Sequence, residues 1–337
     1  MGPMIHRVVL PVSIPPQGRR VFELRQENAP GIPNVATPAR LADQCLSTGD
    51  FSAELSPTGI QSIRWKGVEQ LGPRGITLNL RADHEDTWVF HQTSFEEEIT
   101  ARLEGLVWTV EDGGPLRVRL FADQTLGDSK VRIGVTLYAD RPEIHVHLEV
   151  VFAERFKLLQ MPVHLVCPPT GWTSGLAGGH VARQPGRDEL PFCGWDSVHT
   201  PGGSLGLHTP DAYSSRLCDG VWQFSLLRSP LMAWSGDTGL PPAMSRSHTD
   251  QGRHCFHFIL RADDAFDPAR CDRIASEQTM PPVVFDHYAG MNRPAWGNAP
   301  PRRLWTPDIP HARSAGHMRH LDAIADERGG HEEAKES

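Results

Sequence analysis

The sequence predicts an all-β fold of stacked antiparallel sheets, on three observations. Apolar and polar residues alternate at period two through one run after another beyond position 47, which is the spacing of half-buried strands. The 337 residues include 31 Gly and 29 Pro, both of which interrupt helices and punctuate turns. Turn signals separate the apolar runs at the short intervals typical of sandwiches.

In chain order, residues 1–46 read as a hairpin followed by a linker. Val8-Val9-Leu10 and Val21-Phe22-Glu23-Leu24 flank the turn Ile14-Pro15-Pro16-Gln17-Gly18, and 28–46 is proline-rich with little periodicity. The main domain is expected over 47–286. It opens with a strand at Phe51 to Leu55, a turn at Pro57-Thr58-Gly59 and a strand at Ile60 to Trp65. Further strands are predicted at Ile76 to Leu80, Glu97 to Leu103, Leu106 to Val110, Leu116 to Phe121, Val131 to Leu137, Ile144 to Phe152 and Val163 to Val166. A second series runs through Leu205 to His208, Val221 to Leu227 and His254 to Leu260. The Gly- and Pro-rich stretches 168–204 and 229–252 read as long loops, where ligand contacts are to be sought first. Asp267-Pro268 suits the N-cap and N1 positions of a short helix near 267–278. Residues 287–337 read as an irregular tail.

The formal net charge of −8 argues against a phosphate-backbone binder, so no nucleic-acid partner is expected. No stretch approaches the ~20 apolar residues that cross a bilayer, and Met1-Gly2-Pro3-Met4 lacks the apolar core of a signal peptide; the expectation is no membrane partner and a cytoplasmic setting. Cys45, Cys167, Cys193, Cys218, Cys255 and Cys271 show no Cys-x-x-Cys spacing, so they read as reduced structural thiols and not as a zinc site. Dinucleotide, P-loop and nucleophile-elbow signatures do not occur.

Several residues could carry chemistry. Asp83-His84-Glu85-Asp86-Thr87-Trp88 gathers acceptors and an indole in the loop expected after Leu80. That mixture suits a sugar, whose hydroxyls want acceptors and whose C–H face stacks on an aromatic ring. The alternative is a solvated acidic turn with Trp88 in the core. Arg228 sits at the end of the Phe224 to Leu227 run, where its rigid donor fork could reach a carboxylate or a hydroxyl; surface ion pairing is the alternative. A glycosidase-like carboxylate pair drawn from Asp83 or Asp86 with Glu189 or Asp196 is conceivable. The segment Glu189 to Asp196 is better suited to entering a strand, with Trp195 pointing inward. His145 and His147 share a strand face, and a metal there would need a third ligand such as His164 or Glu149; a polar face of a half-solvated sheet is the alternative.

In order and spacing these pieces resemble the C-terminal region of family 38 glycoside hydrolases, the retaining alpha-mannosidases. The resemblance runs over about residues 5–285. It rests on Val12-Ser13-Ile14-Pro15-Pro16-Gln17-Gly18, Trp65-Lys66-Gly67, the Asp86/Trp88 loop, Arg155 to Pro162, Glu189 to Asp196, Leu226 to Pro230 and Asp250-Gln251-Gly252-Arg253-His254. It implies a large antiparallel supersandwich, like that of aldose mutarotase-like proteins, which packs against a catalytic barrel holding the nucleophile and a zinc ion. Neither catalytic residues nor metal ligands carry over to this chain, and zinc is expected only in the catalytic half. The resemblance also implies that an aromatic near Asp86 to Phe90 and an arginine near Arg228 line a mannose-type sugar pocket.

The expected site is therefore Asp83, Asp86, Trp88, Arg228, Glu189 and Asp196, all substrate-binding. The function expected is the non-catalytic β-sandwich portion of an alpha-mannosidase, acting with a catalytic barrel on a separate chain or derived from an enzyme that had one. A self-standing carbohydrate-binding module and a mutarotase-like enzyme are the alternatives.

Overall fold

The computed structural model describes residues 12–14, 35–88, 93–200, 202–232 and 247–281. The strands expected at Val8 to Leu10 and Val21 to Leu24, and the tail 287–337, lie outside the described residues, as does 233–246 of the expected loop 229–252.

Twenty-one strands and one helix follow in order among the described residues. The first seven are β1 (Arg40–Ala42), β2 (Cys45–Thr48), β3 (Phe51–Ser56), β4 (Gly59–Trp65), β5 (Val68–Glu69), β6 (Leu71–Ile76) and β7 (Asn79–Ala82). Next come β8 (Ile99–Arg102), β9 (Thr109–Gly113), β10 (Arg117–Leu126), β11 (Ser129–Tyr138), β12 (Glu143–Phe152) and β13 (Lys157–Leu165). The last group is β14 (Gly171–Leu176), β15 (Gly179–Arg183), β16 (Leu190–Pro191), β17 (Gly194–Thr200), β18 (Gly203–Thr209), β19 (Ser214–Cys218), β20 (Val221–Arg228) and β21 (Gly252–Asp263), followed by α1 (Pro268–Thr279).

These strands form two antiparallel sheets. One has twelve strands along the path β1-β2-β3-β4-β6-β13-β20-β19-β16, with β5 on β4, β7 on β13 and β8 on β7. The other has nine, in the order β15-β14-β17-β18-β21-β12-β11-β10-β9. The alternation read from the sequence sets which face each strand buries. On β12, Ile144, Val146, Leu148, Val150 and Phe152 are buried, while the residues between them face outward. Those buried residues join Ile60, Leu80, Met161, Val163 and Phe224 of the other sheet in one core. A gap of only about 30 Å³ remains between Ile60, Leu78 and Met161 on one side and Ile133, Val146 and Phe258 on the other.

The β3–β4 hairpin turns where expected. Gly59 has φ +139°, and a Cβ there would meet the Ile76 carbonyl oxygen at 2.2 Å, so only glycine fits. The helix also starts where expected: Asp267 accepts from the Ala269 and Arg270 amides, and Pro268 needs no donor.

Four expectations need correction. The stretch 168–204 is not a loop, because it holds β14, β15, β16 and β17. One of its glycines marks close packing and not a turn: a Cβ on Gly175 would lie 2.7 Å from both the Cys193 carbonyl oxygen and Trp195 Nε1. The run Leu106 to Val110 is displaced into β9, since Leu106 is buried as a loop anchor that donates to the Pro57 carbonyl. Ile76 to Leu80 is not one strand: β6 ends at Ile76 and β7 begins at Asn79. The expected linker ends early, because β1 and β2 pair with each other and join the twelve-stranded sheet.

Candidate functional site

The end of β20 and the loop after β7 meet at one corner of the twelve-stranded sheet. Both strands pair with β13, so residues far apart in sequence arrive side by side. Leu159 pairs with Leu227 but Gln160 pairs with Ser225, leaving Leu226 as an extra residue in β20. Such a bulge re-aims the side chains beyond it, here toward Arg228.

Arg228 is held from several sides. Its Nε donates to Asp83 Oδ2 at 2.8 Å and its Nη2 to Asp83 Oδ1 at 2.9 Å, a two-pronged pair in which the Asp83 side chain is 0% exposed and that of Arg228 is 20% exposed. The guanidinium carbon lies 4.7 Å from the Phe95 ring centre, a cation–π contact. Nη2 also donates to the Asp86 carbonyl at 3.3 Å, and the Arg228 amide donates to Asp250 Oδ2 at 2.9 Å. Asp86 Oδ1 accepts from the Trp88 amide at 2.8 Å, an Asx-type turn that sets the start of Trp88, a residue that is 50% exposed.

A polar ladder continues from this corner along β20. Arg81 Nε donates to Gln160 Oε1 at 3.0 Å, and Gln160 Nε2 donates to Ser225 Oγ at 3.4 Å. Ser225 and Ser214 each donate a hydroxyl to Glu189 at 2.6 Å. Burial pushes the Arg81 pKa down, and the charge of Arg216 adds to the effect. Of the six expected site residues, Asp83, Asp86, Trp88 and Arg228 therefore share a corner, while Glu189 belongs to the adjoining ladder.

The model of the glycosyl hydrolases family 38 C-terminal domain matches residues 50–236, more than half of the chain and a stretch that includes the corner and the ladder. This chain belongs to that family. The fold is similar to that of an alpha-mannosidase from Enterococcus faecalis V583, with a TM-score of 0.55, 12% identity, and coverage of 74% of this chain and 31% of that one. It is likewise similar to a glycosyl hydrolase family 38 protein from Enterococcus faecalis, with a TM-score of 0.55, 12% identity, and coverage of 77% and 33%. At that identity the likeness concerns the fold alone. The chain spans about a third of the length of these two structures. No curated protein matches it.

Within this family 38 C-terminal domain, two expected site residues are out of a sugar's reach. Asp196 is fully buried on β17 and accepts from Trp172 Nε1 at 2.7 Å, Ser174 Oγ at 2.8 Å, Ser215 Oγ at 2.6 Å and Trp222 Nε1 at 3.0 Å. Ser215 and Trp222 come from the other sheet, so this carboxyl pins the two sheets together. Burial pushes its pKa up against the pull of those four donors. Asp83 is also fully buried, and its role is to hold Arg228. A glycosidase-like pair built on either carboxyl is thereby lost, because both are committed to fixed partners. Trp195 does point inward, as its segment suggested, and donates to Asp272 of α1 at 2.7 Å.

His145 and His147 do share a face of β12. His164 lies on β13 in the other sheet, so it cannot be their third partner. Sequence reasoning missed Phe95, Arg81 and Gln160 at the corner. The only local hint was a single arginine, Arg81, in an apolar run next to Asp83.

Proposed function

We propose that this chain is the β-sandwich portion of an alpha-mannosidase-like enzyme, non-catalytic by itself and acting with, or derived from an enzyme with, a catalytic barrel. In this reading Trp88 and Arg228 form the part of a mannose-type sugar pocket that the sandwich contributes. The observation that carries it is the corner at the end of β20, where an arginine fixed by Asp83 and Phe95 also donates to the Asp86 carbonyl, two residues before the half-exposed Trp88. The indole offers a sugar ring a stacking face, and the fixed guanidinium offers hydroxyls a pre-set donor. Glycoside cleavage takes two carboxyls working as a pair. The commitment of Asp83 and Asp196 to structural partners supports leaving that step to the barrel. All six cysteines are free thiols, which supports a reducing, cytoplasmic setting.

Titration with high-mannose oligosaccharides, followed by tryptophan fluorescence, tests the reading. Weak binding is expected, reduced about tenfold or more in Trp88→Ala, the loss of one stacking contact. Silence of the wild-type chain on a mannose-rich glycan array removes the sugar contact. Turnover of an aryl α-mannoside by the isolated chain, with or without added zinc, removes the division of labour.

A further inference from the structure

The outer face of the nine-stranded sheet carries a polar seam along β12 and β21. Residues paired across two antiparallel strands point to the same face. Glu143, His145, His147 and Glu149 therefore share that face with Arg261, His257 and Cys255, and the pairs His147/His257 and Glu149/Cys255 lie directly opposite one another.

At one end the seam is closed in on itself. Glu143 meets Arg261 at 2.8 Å and Arg141 at 3.2 Å, while His145 lies 3.3 Å from both Glu143 and His257 Nε2. At the other end, an imidazole nitrogen of His147, a carboxylate oxygen of Glu149 and the Cys255 sulfur lie within 4.8 Å of one another, all on half-buried residues. We propose that His147, Glu149 and Cys255 form a three-ligand site for a zinc-class divalent ion, with water as the fourth ligand.

The donor set favours this class of ion. Nitrogen, oxygen and thiolate together suit a borderline-soft metal, whereas the hard cations Mg²⁺ and Ca²⁺ take oxygen. All three ligands stand on central strands of the sheet, so the backbone holds them without help from a loop. Glu149 also lines an open depression of about 480 Å³ with Asp123, Lys130 and Arg132, which gives an ion a way in. One local competitor is Arg253, which forks onto Glu149 at 2.9 Å through two nitrogens and also hydrogen-bonds with Cys255. The Arg253 side chain is 60% exposed, so water screens the pair, and an incoming dication displaces one prong. On binding, the Cys255 thiol gives its proton to solvent and coordinates as thiolate. The cysteine spacing concealed this arrangement, because the site uses one cysteine and takes its other ligands from a strand more than a hundred residues earlier.

Cobalt(II) titrated into the metal-free full chain tests the site. One equivalent should produce a thiolate-to-cobalt charge-transfer band together with the visible absorption of a four-coordinate site, and zinc should displace both. Cys255→Ser should abolish the charge-transfer band, and His147→Ala should weaken binding about tenfold or more. Cys193→Ser, which changes an exposed thiol elsewhere, should leave the spectrum intact. Circular dichroism and a thermal melt of each metal-free variant confirm that it folds. The proposal is overturned if wild type shows no charge-transfer band, if the band survives in Cys255→Ser, or if folded His147→Ala binds as tightly as wild type.

Discussion

Four donors converge on Asp196, and two of them are indole N–H groups that can only donate. Removing the carboxyl strands all four between the sheets. Asp196→Ala should therefore cost about 3 kcal/mol or more in urea unfolding, and Asp196→Asn, which keeps one acceptor oxygen, should cost less. Buried histidine carries the opposite hazard. His208 is fully buried, and burial pushes its pKa down to about 4. Its folded value lies below its unfolded value of about 6.5, so protonation favours the unfolded chain. Stability attributable to His208 is intact above about pH 6.5 and is lost as pH falls toward 4, by on the order of 3 kcal/mol in total. Asp211 works the other way. Burial raises its pKa to about 6, so its contribution is greatest in acid and fades as pH rises through 6. The check is a pair of denaturation curves at pH 7 and pH 4.5 for wild type and His208→Gln. The gap between the two proteins should shift in favour of the variant in acid, and a constant gap would count against the assignment.

Single elements differ in how far the sequence revealed them. β10 and β12 were legible because one face is buried and the other wetter, which leaves a period-two signature. The helix was legible because its cap is a local arrangement of Asp267 and Pro268. β14 and β17 were not. Trp172, Thr173, Ser174 and Gly175 are all buried in succession, so no alternation shows, and the glycine that resembles a turn residue is there for clearance. Gly175→Ala should thus destabilise by about 1–3 kcal/mol through overpacking against Trp195 and the Cys193 carbonyl, although the same change on an exposed strand would be mild. Guanidinium unfolding of the two proteins decides this, and an unchanged midpoint would mean that the strand yields more readily than its packing suggests. The displaced β9 has a different cause: Leu106 is buried by a loop, and burial alone does not reveal the element that provides it.

At the scale of the molecule, the two sheets share one core, so they should lose structure together. Phe258 is fully buried on β21 and faces the gap lined by Ile60 and Met161 of the opposite sheet. Phe258→Ala should cost about 3–5 kcal/mol, and far- and near-ultraviolet circular dichroism should shift by the same amount in one transition. Two separated transitions would show that the sheets fold independently. The sequence by itself determined the all-β class, the capped helix and the order of segments typical of the family 38 C-terminal domain, because period-two patterning, turn residues and caps are local properties of a few neighbouring residues. Only the tertiary structure decided that Asp83 grips Arg228, that Asp196 joins the sheets instead of facing a ligand, and that Cys255 stands opposite Glu149. Those meetings depend on the register between strands up to 145 positions apart in the chain, and register is fixed by the packing of the whole core.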